Sequence, residues 1–176
     1  MRVRTNKPSS GISRKVAVNG KDVAGVKPRE YFPIRRRWSP GDVIQLSFEV
    51  KPQVIEANPR VADDTGRVAT QRGPLIYCLE EVDQPSGISL SDVAVNPGRH
   101  AADEFHTEFR SDLLGGMAVL HQEGALYERG ASETRLYSRY SREERSKKVP
   151  LTFIPYYAWA NRQATSMQVW NLVLQT

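Results

Sequence analysis

Cysteine is almost missing from this sequence. Cys78 stands alone among 176 residues. One thiol closes no internal disulfide, so the chain is not a disulfide-stapled scaffold. It also excludes a four-thiolate zinc site. Histidine is scarce as well, confined to His100, His106 and His121. None falls in a His-Glu-x-x-His pattern or at the Cys/His spacing of a zinc site. Long apolar runs are lacking, and none approaches the roughly 20 residues that span a bilayer. The opening "MRVRTNKPSSGISRK" has no apolar segment of the kind a secretory signal needs. No membrane partner is therefore expected; the compartment stays open, with the cytoplasm as default. "LLGGM" has neither the spacing nor the lysine of a phosphate-binding loop, and Gly115-Gly116 reads as a turn or bulge before a strand. Heptads, internal repeats and low-complexity segments are absent.

What is present is a soluble, globular composition, 39% hydrophobic and 26% charged. The 11 prolines and 12 glycines are dispersed, which fits many short elements joined by turns. The net charge of +5 permits acidic partners without defining a site for them.

The local pattern is β. Val16 and Val18 alternate with polar or small residues before Asn19-Gly20, a hairpin signal because both residues tolerate positive φ. "EYFPIRRRW" is extended, with Pro33 at an edge or bulge. In "DVIQLSFEV" the two-residue period puts Ile44, Leu46, Phe48 and Val50 on one face, expected to meet a core. "PQVIE", "RVATQ" and "PLIYCLE" are further strands, the last two divided at Arg72-Gly73-Pro74. "DQPSG" (83–87) reads as a linker. "EFHTEFR", "GMAVLHQEG", "VPLTFIPYYAWANR" and "SMQVWNLVL" follow as strands, with the polar "RLYSRYSREERSKK" between. The fold class predicted is all-β: two consecutive antiparallel β-sandwich domains, residues 1–85 and 86–176, the first truncated at its N-terminus.

Candidate chemistry is thin. Alternation puts Leu75, Tyr77 and Leu79 on one strand face and Ile76, Cys78 and Glu80 on the other. A thiol in such a strand behaves as a small hydrophobe, whereas a reactive one needs a helix N-terminus, a cation or a metal beside it. Glycosidases commonly use two facing carboxylates. Glu80-Glu81, Asp63-Asp64 and Asp103-Glu104 are adjacent instead, and strand neighbours point apart, so these read as solvated or turn-forming acids. Glu104 and His106 could share a face with His121 on the next strand, an unpatterned cluster with little claim to a metal. "IRRRW" (34–38) and 135–148, with Tyr137 and Tyr140 among arginines, could suit single-stranded nucleic acid. Glu143 and Glu144 interrupt the second segment, so a solvated or docking face is preferred. Tyr156, Tyr157 and Trp159 read first as core and inter-domain packing, with Tyr157 and Trp159 on one face and Tyr156 on the other. The candidates for carbohydrate or domain-interface contact are Tyr156, Trp159, Asn161 and Arg162.

In order along the chain stand "GDVIQLSFEV", "GRVATQRGPLIYCLEEVDQP", "RSDLLGGMAVL" and "LTFIPYYAWANR…MQVW". From about Val16 onward the chain resembles the C-terminal part of glycoside hydrolase family 127, the β-L-arabinofuranosidase family. "RGPLIYCLE" and "IPYYAWANR" are the specific segments, and "VNGKDV" and "RRRWSPGD" fit the same family's middle β domain. The resemblance implies a large helical barrel ahead of two β-sandwiches. It also implies catalysis in that barrel by a cysteine nucleophile near a zinc ion, held by a glutamate and further cysteines. None of those residues has a counterpart here, and Cys78 matches the strand cysteine of "YCLE". The chain is therefore expected to be catalytically inactive and to hold no cofactor, with zinc confined to the absent domain. Its expected partners are the barrel and arabinose-containing glycans, with self-association through an exposed sheet edge. The alternatives are a free-standing carbohydrate-binding or protein-docking β module and, less favoured, a nucleic-acid binder.

Overall fold

The computed structural model describes residues 2–4, 12–25, 27, 31–98, 101–128 and 145–174. His100, Tyr137, Tyr140, Glu143 and Glu144 lie outside them. The chain divides into two units, Met1–Lys51 and Pro52–Thr176.

In the first unit, β1 (Arg2–Arg4) pairs antiparallel with β4 (Tyr31–Pro33). A three-stranded antiparallel sheet joins β3 (Lys21–Asp22), β2 (Ile12–Val18) and β5 (Ile44–Val50), in that order. Asn19 and Gly20 make the β2–β3 turn at φ 51° and 76°, the left-handed conformation that selected those residue types. The Asn19 side chain also ties this turn to β5, accepting from the Val43 amide at 2.8 Å and donating to Asp42 at 2.7 Å. Val16, Ala17 and Val18 are buried.

The face expected to meet a core is largely open. Leu46 is 43% exposed and Phe48 54%, while Ile44 and Val50 are half-buried. Alternation decides which side chains share a face. Covering that face takes a second layer, and none among the described residues buries Leu46 or Phe48.

The second unit holds β6 (Pro52–Glu56), β7 (Arg67–Arg72), β8 (Leu75–Glu80), β9 (Val93–Val95), β10 (His106–Arg110), β11 (Met117–Glu128), β12 (Arg145–Pro155), β13 (Met167–Gln168) and β14 (Asn171–Val173). The all-β expectation is what the structure shows; among the described residues the α-helical part is one turn, Ala101–Glu104, beside a few three-residue 3-10 turns. The ladder runs β8-β12-β11-β9-β14-β7, and β7 pairs back onto β8, so the hydrogen bonding closes on itself. The two faces that the strand pattern predicts for a sandwich are joined at this closure. All these pairings are antiparallel except β9–β14, where Leu172 and Val173 run parallel to Ala94 and Val95.

The domain boundary expected near residue 85 falls inside this ladder. Residues 83–87 connect β8 to β9, strands of one sheet. Gln84 fixes the segment to β12, donating to the Thr152 carbonyl at 2.8 Å and accepting from the Thr152 amide at 3.2 Å. A turn inside a domain and a linker between domains share the same Pro/Gly/Asp composition. Only the bonds across the segment tell them apart.

The closed ladder wraps one core. Tyr77, Leu79, Leu120, Leu151 and Phe153 belong to it, joined by Val93 and Val95. Phe105 meets Phe153 edge to face, with ring centroids 5.6 Å apart. The alternate residues Cys78, Val119 and Ile154 form a second cluster with Met117 and Ala158. The two-residue period of "LIYCLE" thus reads through to packing.

Gly124 shows how tightly β11 lies against β9. A Cβ there would come 2.3 Å from Leu151 Cδ1 and 2.6 Å from the Ala94 carbonyl oxygen. Leu151 could rotate away, but the backbone oxygen cannot. Gly124→Ala is therefore expected to cost about 1–3 kcal/mol, read as a lower urea midpoint at unchanged slope. Wild-type stability in that variant would disprove the close approach.

Candidate functional site

Strand β12 ends at Pro155, and the aromatic run that follows is not a strand. Tyr156–Ala158 form a 3-10 turn, in which the Trp159 amide donates to the Tyr156 carbonyl at 3.2 Å. This three-residue turn brings positions i and i+3 together. Tyr156 and Trp159 therefore stack, with centroids 6.3 Å apart and planes 21° from parallel. The expected pairing of Tyr157 with Trp159 on one strand face does not occur. Nor are these rings core: Tyr156 is 46% exposed, Tyr157 58% and Trp159 39%, with only Ala158 of the turn buried.

The two polar candidates hold this turn in place. Asn161 Nδ2 donates to the Tyr157 and Trp159 carbonyls at 3.0 and 3.2 Å. Arg162 reaches inward. Its Nη1 and Nη2 donate to the two Asp83 carboxylate oxygens at 2.6 and 2.5 Å, and Nη2 also donates to Glu80 Oε2. The other Glu80 oxygen accepts from the Ala160 amide at 2.9 Å. Ala160 sits at φ 57°, a conformation a residue with a Cβ adopts only where its surroundings impose it. The Glu80 carboxylate is part of what imposes it. Trp159 Nε1 donates to the Thr165 carbonyl at 3.3 Å, and the Val82 amide donates to Thr165 Oγ1 at 3.3 Å. The aromatic pair thus rests on a braced loop.

Glu80 corrects the expectation of solvated acids. Its side chain is fully buried, whereas its neighbour Glu81 is exposed. A carboxylate can stay buried only with a cation and hydrogen bonds to replace water. Arg162 and the Ala160 amide supply them. Asp83, which carries the outer half of this ion pair, was missed in the sequence, as was Glu80. Its signal was a lone acid on the Cys78 face of an otherwise apolar strand. The Arg162 guanidinium is held charged, its pKa raised by the Asp83 hydrogen bonds and then by Glu80.

Cys78 has no catalytic surroundings. It lies fully buried among Val119, Ile154 and Ala158. Burial, and after it the charges of Glu80 and Asp83, push its thiol up to about 12, with Arg162 pulling weakly the other way. A nucleophilic cysteine needs the opposite shift.

The histidines meet differently from the expected grouping. His106 and His121 face each other across β10–β11, rings 6.3 Å apart. Glu104 accepts from Asn96 Nδ2 at 3.1 Å and lines the same cavity as both histidines. The carboxylate bonded to a ring is that of Glu108, 2.9 Å from His121 Nε2, while Thr152 Oγ1 lies 3.2 Å from Nδ1. The cavity that Glu104 and the histidines line, of about 420 Å³, also includes Val149 and Leu151. Among the described residues, no group of three or more His, Cys, Asp or Glu could hold a metal ion. In "IRRRW", Arg36 is engaged within its own loop, 3.3 Å from Asp42 and 5.1 Å from the Trp38 ring centroid. No helix among the described residues is long and apolar enough to cross a membrane.

Residues 52–172 match the model of the glycoside hydrolase family 127 C-terminal domain. This chain belongs to glycoside hydrolase family 127. The matched range begins where the second structural unit begins and contains Tyr156, Trp159, Asn161 and Arg162. A non-reducing end β-L-arabinofuranosidase of Bifidobacterium longum subsp. longum is 33% identical over 133 residues, covering 74% of this family 127 chain and 20% of that protein. The crystal structure of a family 127 β-L-arabinofuranosidase from Geobacillus stearothermophilus superposes with a TM-score of 0.70 at 37% identity, over 91% of this chain and 24% of its own. A second solved family 127 β-arabinofuranosidase gives 0.69 at 30% identity, over 98% of this chain and 24% of its own. The family 127 chain thus spans a fifth to a quarter of the length of these relatives.

Proposed function

We propose that this chain is a non-catalytic β portion of a family 127 hydrolase whose parent acts on β-L-arabinofuranosides, and that it supports or docks onto a helical catalytic barrel. The observation that carries the reading is Cys78. The chain's sole cysteine is buried with its thiol held protonated, so the cysteine chemistry of the family has no nucleophile here. The residues present do not fit zinc either. The one thiol is sealed in an apolar cluster, and no group of three or more His, Cys, Asp or Glu that could hold a metal ion stands among the described residues. Zinc belongs, on this reading, to the barrel. The open apolar face at Leu46 and Phe48 supports a missing second layer, which the parent protein would supply. Alone, the chain is expected to self-associate through that face.

The test uses the pure chain. Turnover of an aryl β-L-arabinofuranoside should be undetectable under conditions where the full-length Bifidobacterium longum relative is active, and sedimentation should report oligomers. Turnover that disappears in Cys78→Ser would overturn the non-catalytic assignment. A monodisperse monomer would remove the exposed-face argument.

A further inference from the structure

We propose that the stacked Tyr156–Trp159 pair is a platform for one ring of a neutral saccharide, with the wall of the adjoining Ser89/Ser91/Gln168 cavity receiving its hydroxyls. The reading above enters only through the choice of probe. Four observations carry the site.

The first is shape. Two large rings stack with planes 21° from parallel and both stay exposed at a turn, so apolar ring surface faces solvent. The C–H faces of a sugar ring pack on such a surface, while its hydroxyls point sideways to polar partners. The second is rigidity. The Asn161 amide, the Trp159–Thr165 bond and the buried Glu80–Arg162 anchor already fix the loop. Little conformational entropy is then left to lose on binding.

The third is what lies beside it. The Thr165 carbonyl holds the indole N–H, and the next residue, Ser166, lines a cavity of about 530 Å³. That volume falls within the roughly 300–1,000 Å³ typical of small-molecule sites. Ser89, Ser91, Gln168 and Glu81 line it, a set of hydroxyls, one amide and one acid. Gln168 has its Nε2 bound to the Trp170 carbonyl at 2.8 Å, which leaves the amide oxygen pointing away from that bond as an acceptor. The fourth is charge. Arg162, the cation of this loop, is committed to Asp83 and Glu80. An anionic ligand would find no counter-charge from it, so the chemistry favours an uncharged, hydroxyl-rich ring over a phosphate or a nucleic-acid backbone.

The experiment titrates the full chain with methyl β-L-arabinofuranoside and with arabinan oligosaccharides. It follows tryptophan fluorescence and saturation-transfer NMR in low and high salt. Saturable quenching is expected, insensitive to salt. Trp159→Ala and Tyr156→Ala should each weaken it about tenfold or more. Trp159→Phe should retain part of it, and Gln168→Ala should weaken it severalfold, all with unchanged circular dichroism. Three results would overturn the site: no saturable response to either probe, binding that survives Trp159→Ala, or affinity that collapses with salt. Oligomers that dissociate in Trp159→Ala would instead make the pair a protein interface, and the sugar platform would be wrong. Failure here leaves the non-catalytic reading standing. Turnover by the pure chain would overturn that reading without touching this one.

Discussion

Arg162→Ala is expected to lower the unfolding free energy by about 3–5 kcal/mol, the usual cost of removing one partner from a buried ion pair. The reason is what it leaves behind. Glu80 is fully buried, and its carboxylate has the guanidinium on one oxygen and the Ala160 amide on the other. Without Arg162 the first oxygen has no donor. Ala160, at φ 57°, then depends on a loop that has lost its tether to Asp83. The Arg162 side chain is 24% exposed, so water can partly fill the gap, which points to the lower end of the range. Arg162→Lys should recover only part, because an ammonium cannot bridge two carboxylates with a planar fork. The decisive comparison is Arg162→Ala with Glu80→Gln added. If the unpaired charge is the cost, the double variant is more stable than the single one. Urea unfolding reads all three. A loss under about 1 kcal/mol in Arg162→Ala would mean the pair carries little of the loop's stability.

The same ion pair marks where the sequence stops being legible. Glu80 and Arg162 are 82 residues apart, and no local pattern joins them. Local signals did carry far. Asn19-Gly20 gave its turn, Gly73-Pro74 its hairpin between β7 and β8, and the alternation of Tyr77, Cys78 and Leu79 its two faces. These features are decided within a few residues, by positive φ or by the two-residue period. The closure of the ladder was hidden, because β9 and β14 have three residues each and pair in parallel from distant parts of the chain. The aromatic turn was hidden differently. "YYAW" has high strand propensity, but Pro155 ends the strand and the rings stack at i, i+3. Leu46 and Phe48 were placed correctly on one face. Their exposure was invisible, since a pattern names the face and not the layer that covers it.

The thiol of Cys78 should react with an alkylating reagent at pH 8 about a thousandfold more slowly in the folded chain than in urea. With the folded thiol near 12, about one molecule in ten thousand is thiolate at that pH, against roughly a quarter for a free cysteine near 8.5. Burial adds a steric barrier in the same direction. The sign of the pH dependence follows. The fold favours the neutral thiol, so this group's contribution to stability is fully present below about 8.5 and is lost as pH rises towards 12. Tyr77, also raised by burial, adds to the loss at still higher pH. The unfolding free energy should therefore fall above pH 8.5, by at most about 1.4 kcal/mol per pH unit from Cys78, and Cys78→Ala should flatten that slope. Rapid alkylation of the native chain would require an accessible thiolate. That result would return Cys78 to consideration as a nucleophile and remove the main support for a non-catalytic role. Slow labelling that speeds up in step with unfolding would fit a small apolar residue inside a strand, on the face shared with Val119 and Ile154.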